Sequence, residues 1–429
     1  MNRYLYTLLV TLLLPLFLLY LLWRSRKEPA YRQRWGERLA WTKPQRSGGI
    51  LVHCASMGET LAALPLIRAL QQRYPDRLIT VTTTTPSGSE QVRQHLGDSV
   101  QHCYLPLDLS GFSRRFLKAL NPELVILMET ELWPNLVHHA QRQGVKLMLA
   151  NARMSARSAR GYLRFPGLVK PLLNGLDAVA MQNEVDGERM MMLGLEPAKI
   201  TVCGSLKFDI AVSAEAMGET ERQRRELLGE RSVWCAGSTH PGEFEVMLAA
   251  HRRLLALHPD LLLLLVPRHP QQFEAAFALS RAAGFVTARR SEGALSEGTQ
   301  VVIGDTMGEL IQLYGMADVA FVGGSLIPRG GHNPLEPAAL AKPILMGPHD
   351  FNFAEIGETL VRAGALKRVA NEEELAAQVE HLLSLPSQAK ATGKLGQRVV
   401  EINRGSTQRQ CHLAEQLLEA HTAEQALNP

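Results

Sequence analysis

Residues 320–340 of the chain read AFVGGSLIPRGGHNPLEPAAL, and this segment is central to the fold assignment. It starts with apolar residues typical of a buried strand, passes two glycine pairs, Gly323-Gly324 and Gly330-Gly331, and reaches Asn333-Pro334-Leu335-Glu336. Glycine allows positive φ and lets a ligand approach the backbone closely. A helix start would add free N–H groups and the positive end of the helix dipole, which suit a phosphate. The segment therefore predicts a strand, a loop and a helix that could hold a nucleotide.

The same residues also have a purely local explanation. Asn333 is a good N-cap, Pro334 is favoured as the first helical residue, and Glu336 stands where a capping glutamate reaches back. Because turn and cap chemistry explain every residue, the segment by itself leaves both interpretations open.

The length and composition of the chain indicate a globular protein of more than one domain. A chain of 429 residues is too long for one ordinary core, which predicts two domains with additional segments. Charged residues make up 21% and hydrophobic residues 46%, and the net charge of +4 says little about partners. Five cysteines stand singly without a C-x-x-C motif. This pattern argues against a disulfide framework or a structural zinc site and fits a reducing compartment.

The N-terminal region predicts a membrane anchor. Residues 4–23, YLYTLLVTLLLPLFLLYLLW, carry no charge and are long enough to cross a bilayer, with aromatic residues near both ends. Only Arg3 precedes this run, whereas the basic residues behind it are Arg24, Arg26, Lys27, Arg32, Arg34 and Arg38. This asymmetry places the bulk of the chain on the cytoplasmic side. A cleaved signal peptide fits less well, because the run is long and basic residues rather than a small-residue cleavage site follow it.

Strand patterns alternate with amphipathic helix patterns from residue 50 onward. The predicted strands cover residues 50–55, 78–83, 124–128, 146–150, 178–182 and 199–203, and then 233–237, 261–267, 301–304, 319–323 and 344–346. Strands separated by helices indicate parallel sheets with right-handed crossovers. A mostly charged segment at 213–231 divides two α/β domains, and residues 406–426 predict one long helix. Ligands of such sheets bind beyond the carboxyl ends of the strands, so we expect the loops of both domains to surround one cleft.

Two strand-end loops in the first half carry carboxylates. In HCASMGET, Ser56 and Glu59 form an S-x-x-E capping pattern, and these residues alone favour a local cap over a general base. In METELWP, Glu129 ends a run of buried apolar residues, where a charge is costly unless it is paired or functional. Because the second loop also contains Glu131 and Trp133, we interpret it as functional.

Residues 151–170, NARMSARSARGYLRFPGLVK, are strongly basic. Arg153, Arg157, Arg160 and Arg164 stand four, three and four residues apart, which predicts that a helix aligns them on one face. A merely solvated face usually mixes charge signs, but every charge from 153 to 170 is positive. Such a face suits phosphates or an anionic membrane surface. Nucleic acid is not supported, because no RNA- or DNA-reading motif accompanies it.

The second half contains three further strand-end turns, GSTHPGE, VPRHP and GDTMGEL. Their hydroxyls and backbone amides, together with Arg268, suit a phosphate, so with residues 320–340 they indicate a nucleotide site. The chain lacks G-x-x-x-x-G-K-[ST] and G-x-G-x-x-G, which argues against a P-loop enzyme and a dinucleotide enzyme. It also lacks H-E-x-x-H, Asp-x-Asp and G-x-S-x-G, so neither a metal site nor a serine hydrolase is indicated.

The ordered motifs ASMGE, METELWPN, NARMS, GSLKFD, STHPGE, PRHP, GDTMGEL, GGSLIPRGGHNPLEPA and MGPHDFNF, behind the anchor, resemble those of the Kdo transferases of Gram-negative bacteria. These enzymes transfer 3-deoxy-D-manno-octulosonic acid (Kdo) from its CMP-activated form to the lipid A precursor. The resemblance extends from the anchor to about Gly405. It implies the GT-B fold, which is α/β with two Rossmann-like parallel-sheet domains facing a cleft, here behind an N-terminal transmembrane helix.

The resemblance assigns a role to each part of the chain. Residues 1–27 would be the membrane anchor, 28–212 the acceptor-binding domain, 213–405 the CMP-sugar donor-binding domain, and 406–429 a C-terminal helix and tail. The implied partners are CMP-Kdo, the lipid A precursor and inner-membrane lipid, with the catalytic domains facing the cytoplasm. Neither a metal nor a cofactor is implied, since CMP-Kdo is a substrate.

The resemblance also implies residue roles. Glu59 matches the general base of an inverting, direct displacement, with Glu129 and Lys207 as supporting catalytic residues. The implied CMP-binding positions are Pro267, Arg268, Met307, Gly308, Glu309, Asn333, Pro334, Leu335 and Glu336, of which Glu336 would bind the ribose. Arg153, Arg157, Arg160 and Arg164 become candidates for contacts with the acceptor or the membrane.

Two other functions are compatible with the fold class. One is a GT-B transferase that uses a UDP-sugar on another lipid-linked acceptor, against which the complete ASMGE and GGHNPLEP motifs argue. The other is a non-catalytic, membrane-bound GT-B scaffold. The presence of Glu59, Glu129, Lys207 and Glu336 argues against such a degenerate protein.

Overall fold

The computed structural model describes residues 1–26, 28–210, 212–293, 295–296 and 298–427. Lys27, one of the basic residues expected behind the anchor, lies outside them. The chain forms two compact units. Unit 1 comprises Met1–Asp209 and Arg404–Pro429, and unit 2 comprises Ile210–Asn403. The acceptor and donor roles expected for 28–212 and 213–405 remain predictions.

Unit 1 contains a parallel sheet whose strands are β1 (Ile50–His53), β2 (Ile79–Thr83), β3 (Gln101–Tyr104), β4 (Leu124–Met128), β5 (Lys146–Ala152), β6 (Ala178–Met181) and β7 (Ile200–Val202). Its helices are α1 (Arg3–Arg24), α2 (Trp35–Arg38), α3 (Met57–Arg73), α4 (Pro86–His95), α5 (Ser110–Leu120), α6 (Pro134–Arg142), α7 (Ala156–Tyr162), α8 (Pro166–Asn174) and α9 (Glu184–Met192). The strand order is β3-β2-β1-β4-β5-β6-β7. The chain thus leaves β1 towards one edge and returns to β4 beside β1, which makes the β1–β4 crevice the topological switch point.

Both faces of this sheet are covered, as parallel sheets require. Along β1, Ile50 and Val52 belong to one apolar cluster, and Leu51 belongs to the cluster on the other face. Because the central strand β4 is buried along its whole length, it reads in the sequence as a continuous apolar run, LVILM, rather than as an alternating pattern.

Unit 2 repeats this architecture. Its strands are β8 (Val233–Thr239), β9 (Leu262–Pro267), β10 (Thr287–Arg289), β11 (Val301–Ile303), β12 (Val319–Val322), β13 (Ile344–Met346) and β14 (Leu366–Arg368). Its helices are α10 (Ala214–Leu228), α11 (Phe244–Leu255), α12 (Phe273–Ala282), α13 (Leu310–Met316), α14 (Leu335–Ala339), α15 (Ala354–Arg362), α16 (Glu372–Ser384) and α17 (Pro386–Asn403). The parallel order is β10-β11-β9-β8-β12-β13-β14, so β8 and β12 flank the switch point here.

The predicted C-terminal helix is confirmed and belongs to unit 1. Helix α18 (Ser406–Leu427) packs on α3 through the buried Ala414 and Leu418. The side-chain amide oxygen of Gln410 accepts a hydrogen bond from the backbone N–H of Asn151 at 2.8 Å. The polypeptide therefore returns from unit 2 to complete the core of unit 1.

Three strands, β3, β10 and β14, were not predicted. Each lies at an edge of its sheet, and each contains polar residues such as His102, Arg289 or Lys367. An edge strand needs less apolar surface than a central one, so these strands lack the apolar run by which the others were recognised.

Helix α1 coincides in position with the predicted anchor, and its crossing of a membrane stays a prediction. In the described part of the chain it is the one helix long and apolar enough to cross a membrane. One stripe of its surface is partly or fully covered, comprising Arg3, Tyr6, Thr7, Val10, Leu14, Leu18 and Leu21. Asn135 at the start of α6 accepts hydrogen bonds from Arg3 Nη1 at 3.1 Å and Thr7 Oγ1 at 2.9 Å. The opposite face, including Leu12, Leu16 and Trp23, is exposed.

Candidate functional site

The loop after β1 holds Glu59 at the start of α3. Ser56 is the N-cap of this helix, and its side chain accepts a hydrogen bond from the Glu59 N–H. The Glu59 carboxylate in turn accepts from the backbone N–H of Ala55 at 2.8 Å and from the Ser56 hydroxyl at 2.9 Å. The expected local cap is therefore present, and it fixes the position of the carboxylate at the carboxyl end of β1.

The pKa of the Glu59 carboxylate is strongly shifted. Burial, reinforced by the negative charge of Glu131, raises the pKa of Glu59 to about 7, while its two hydrogen bonds oppose the shift. A carboxylate that titrates near neutral pH can accept a proton effectively, which is the property that a general base needs. Capping and base catalysis are thus compatible roles for Glu59.

Glu129 occupies a buried and conformationally unusual position directly after β4. Its φ of 52° lies in the left-handed region, which a non-glycine residue rarely adopts, and only 6% of its surface is exposed. Arg153 Nε lies 2.7 Å from Glu129 Oε2. This ion pair explains how the buried charge is tolerated, since an unpaired carboxylate at this depth would be costly.

Glu131 is held on the same loop by a hydrogen bond from Trp133 and faces His53 of β1. Trp133 Nε1 donates a hydrogen bond to Glu131 Oε2 at 3.0 Å, and His53 Nε2 lies 3.7 Å from the same oxygen. His53 is fully buried at the end of β1, with Nδ1 3.0 Å from Thr82 Oγ1. Glu131 therefore links the β1 and β4 loops at the switch point of unit 1, a role that no local sequence signal indicated.

Lys207 lies in a short 3-10 turn after β7, also in unit 1. The neighbouring Leu206 N–H donates to Asn151 Oδ1 at 3.1 Å, and the Lys207 N–H contacts Ser205 Oγ at 3.4 Å. Asn151 itself has a φ of 51° near the end of β5. The backbone around Lys207 is thus attached to the carboxyl edge of the sheet.

The prediction that one helix carries Arg153, Arg157, Arg160 and Arg164 is wrong. Helix α7 spans only Ala156–Tyr162, so Arg153 precedes it and Arg164 follows it. Ser155 caps the helix by accepting from the Ser158 N–H, and Pro166 disfavours helical geometry at Phe165. All four arginines are exposed, and Arg153 is bound to Glu129. Their contacts with acceptor or membrane remain a prediction.

In unit 2, Glu243 holds the loop that follows β12 in place. Its fully buried carboxylate accepts hydrogen bonds from four backbone N–H groups, those of His240, Gly324, Ser325 and Leu326, at 2.8–3.0 Å. One side chain after β8 thereby holds the loop after β12, across the switch point. Glu243 was present in the STHPGE turn but had no predicted role.

The predicted CMP-binding positions lie on loops at the carboxyl edge of the unit 2 sheet. Pro267 ends β9, and Arg268 follows it with its N–H donating to Thr239 O at 2.9 Å. Met307 is exposed, Gly308 has a φ of 87°, and the Glu309 carboxylate accepts from Thr306 Oγ1 at 2.5 Å.

The turn at Asn333 differs in detail from the prediction. Asn333 Oδ1 accepts from the Leu335 N–H at 3.1 Å, and α14 begins at Leu335, so Pro334 is its N-cap and not its first residue. This helix has only five residues, so its dipole is small, and the phosphate contact expected at its start stays a prediction. Burial raises the pKa of Glu336 to about 7, against a hydrogen bond with Asn333 and the charge of Arg268.

Comparison with known proteins agrees with this architecture. Residues 33–210 match the sequence model of a family described as 3-deoxy-D-manno-octulosonic-acid transferase (kdotransferase). Over 427 residues the chain is 43% identical to the 3-deoxy-D-manno-octulosonic acid transferase of Haemophilus influenzae, covering 98% of this chain and 99% of that protein. The chain belongs to the Kdo transferase family. It is therefore a glycosyltransferase, as the motif order predicted.

One further relative supports the family, and one solved structure supports the fold. The 3-deoxy-D-manno-octulosonic acid transferase of Bordetella pertussis is 36% identical over 95% of this chain and 98% of its own length. The solved structure of a glycosyltransferase from Rickettsia africae superposes with a TM-score of 0.54 at 14% identity, covering 87% of this chain and 99% of that one. The predicted α/β class with two Rossmann-like sheets of the GT-B type is confirmed.

Proposed function

We propose that this protein transfers Kdo from CMP-Kdo to the lipid A precursor lipid IVA in lipopolysaccharide core biosynthesis, with Glu59 as general base. The observation that carries the proposal is the position of Glu59. It stands at the switch point of a Kdo transferase family sheet, with a carboxylate whose pKa burial raises to about 7. The transfer inverts the anomeric configuration and requires no metal.

In this mechanism Glu59 accepts the proton of the acceptor hydroxyl as its oxygen attacks the anomeric carbon of Kdo. The new C–O bond forms while the bond to the CMP phosphate breaks, and CMP leaves with the bonding electron pair. A positioned base contributes roughly 10²–10⁴-fold to such a step. The hydrogen bonds from Ala55 and Ser56 hold the carboxylate in one place, so little reorganisation accompanies proton transfer.

Glu129 and Lys207 assist this step in different ways. The ion pair between the buried Glu129 and the exposed Arg153 fixes the loop that also carries Glu131, and Glu131 raises the pKa of the base. The Lys207 ammonium stabilises the donor carboxylate or the negative charge that develops on the leaving group. Both roles follow the family resemblance, and the attachment of both segments to the carboxyl edge of the unit 1 sheet supports them.

Unit 2 binds the CMP part of the donor. Its contacts come from Pro267 and Arg268, from the Met307-Gly308-Glu309 turn, and from Asn333-Pro334-Leu335-Glu336, where Glu336 binds the ribose hydroxyls. These loops belong to one edge of one sheet, where open α/β sheets bind their ligands.

Helix α1 and the basic segment hold unit 1 at the inner membrane, facing the cytoplasm. The exposed face of α1 is apolar, and the exposed Leu163 and Phe165 stand among the arginines of residues 157–164. The two features are neighbours, since a Cβ atom at Gly167 would lie 3.3 Å from Met1 O. An apolar helix beside a cationic segment suits an anionic bilayer, where the lipid acceptor resides.

The donor is tested by incubating the protein and lipid IVA with CMP-Kdo or with a UDP-sugar, and measuring nucleotide release and lipid mass. We expect CMP release matched by a Kdo-modified lipid, and no product from the UDP-sugar. Product from the UDP-sugar alone would establish the other GT-B activity, and no product from either donor would support the non-catalytic scaffold.

The membrane contact is tested with the Arg157→Glu, Arg160→Glu double variant. We expect weaker transfer to acceptor embedded in anionic vesicles and unchanged transfer to acceptor in detergent. The matched control reverses two exposed charges on α17, Lys390→Glu and Lys394→Glu, and should behave as wild type on vesicles. Equal vesicle kinetics for all three proteins would contradict the proposed contact.

A further inference from the structure

Three histidines meet at the carboxyl edge of the unit 2 sheet, where the family motifs give them no role. His240 follows β8, His269 follows β9, and His332 lies in the loop after β12. His240 Nε2 is 2.9 Å from His332 Nε2, and the two rings lie end to end in nearly one plane, with centroids 5.2 Å apart and 17° between the planes. The ring of His269 approaches His240 edge-on at 5.6 Å. We call His240, His269 and His332 the histidine cluster.

The loop after β12 is built to place His332. Gly324 has a φ of 68°, and a Cβ atom there would lie 3.0 Å from His332 Cδ2, so a side chain would push the ring away. The Gly324 N–H is itself held by Glu243, which also accepts from the N–H of His240. One buried carboxylate thus fixes the backbone beneath two members of the cluster.

The cluster contains a buried polar atom without a partner. Only 3% of His240 is exposed, and its Nδ1 makes no hydrogen bond within the described structure. Only one hydrogen can stand between the two Nε2 atoms. His240 Nδ1 is therefore left as a donor or an acceptor without its counterpart, which is costly at this depth.

The surroundings of the cluster are cationic. Burial, followed by the charges of Arg268, Arg329 and the other histidines, lowers the pKa of His332 to about 3 and that of His240 to about 4. Burial and the charges of Arg268 and Arg329 also lower the pKa of His269. The adjacent Glu243 carboxylate is already occupied by its four N–H donors, so it provides no acceptor for the rings. The cluster is neutral at pH 7 and lies in a positive field.

We infer that the histidine cluster, with Arg268 and Arg329, binds an anionic oxygen group of the nucleotide-sugar donor, either the carboxylate of the sugar acid or the phosphate of the nucleotide. The inference rests on the proposed function. Such a group supplies an acceptor for His240 Nδ1–H and offsets the two guanidinium charges. Its negative charge also raises the pKa of the His332 and His240 imidazoles from their lowered values of about 3 and about 4, so donor binding at pH 5 takes up protons from solvent.

Calorimetric titration of CMP and of CMP-Kdo into the full-length protein tests this directly. Runs at pH 5, where Glu336 and Glu59 are largely protonated and these two imidazoles are largely neutral before binding, give the number of protons taken up in buffers of different ionisation enthalpy. We expect proton uptake by the wild type, and for His332→Gln a roughly tenfold or greater loss of CMP-Kdo affinity with less uptake. His269→Gln, at a more exposed position, provides a second variant with little risk to folding.

The two ligands separate the two sources of the anionic group. A matched loss of affinity for CMP and CMP-Kdo assigns the cluster to the phosphate, and a loss for CMP-Kdo alone assigns it to the carboxylate. The control is His381→Gln on α16, outside the cluster. Variants that bind both ligands like this control, with the same proton uptake, would overturn the inference while leaving the proposed function intact. If the wild type binds neither ligand, the proposed function fails and the inference fails with it.

Discussion

Glu131→Gln should shift the pH dependence of catalysis without removing the base. Glu59 must be ionised to accept a proton, and its pKa is about 7, so log kcat/KM should fall by one for each pH unit below about 7. An unperturbed glutamate would keep the rate level down to about pH 4.5. Glu131 contributes to the upward shift, and its removal should therefore move the acidic limb to lower pH.

The size of this movement has an upper bound. Burial is the largest cause of the shift and is retained in the variant, so the limb should move by part of the interval between about 7 and 4.5. Glutamine preserves an oxygen for Trp133 Nε1, which keeps the loop in place. At pH 6 the variant should therefore be faster than the wild type relative to the rate of each at pH 8.

The assay is kcat/KM for Kdo transfer from pH 5 to 9, with Glu196→Gln as the control. Glu196 lies in unit 1 with 62% of its side chain exposed. Titration of the substrates is common to all three proteins and cancels in the comparison. An acidic limb at the same pH in Glu131→Gln and wild type would show that Glu131 does not act on the base, and a wild-type limb below pH 5 would refute the shifted base itself.

Two further changes should alter stability in opposite directions. Because the folded-state pKa of Glu59 is raised from 4.5 to about 7, the folded protein binds more protons than the unfolded chain between these values, and this group lowers stability as pH rises through that window. Glu59→Gln should thus lose transfer activity but unfold at higher urea concentration at pH 8. We expect its free energy of unfolding to rise by about 1–3 kcal/mol at pH 8, after allowance for partial exposure, and not to rise at pH 4. Equal stability of variant and wild type at pH 8 would argue against the raised pKa. Glu243→Ala leaves four buried N–H groups without their acceptor and should lower the urea-unfolding free energy by roughly 3–5 kcal/mol, whereas an effect below about 1 kcal/mol would mean that the loop does not depend on it.

The central strands were predictable because burial on both faces gives them continuous apolar sequences. The predicted strand at 344–346 coincides with β13, and that at 124–128 coincides with β4. The edge strands β3, β10 and β14 escaped prediction because polar side chains suffice there, whereas the edge strand β7 was predicted at 199–203. The boundaries of α7 were also available in principle, since Ser155 is a good N-cap and Pro166 restricts the residue before it.

The site was predictable only where its chemistry is local. Ser56 and Glu59 are three residues apart, so their capping pattern was recognisable in the sequence. The effect of the Glu131 charge on the pKa of Glu59 instead depends on how the fold brings two separate strand-end loops together. His240 and His332 are 92 residues apart, and their pairing leaves no local pattern. Arg153 shows the opposite case, since its basic spacing suggested a surface contact while its partner is the buried Glu129.

The mass of the lipid formed from CMP-Kdo and lipid IVA, compared between the wild type and Glu59→Gln, tests the central claim most directly. Glutamine fits the same space and can still accept from the Ala55 N–H, so the variant should bind CMP like the wild type. The wild type should add Kdo with matched CMP release, and the variant should be slower by about 10²–10⁴-fold. Full transfer by Glu59→Gln would contradict the assignment of the base, and an unchanged lipid mass with the wild type would contradict the proposed function.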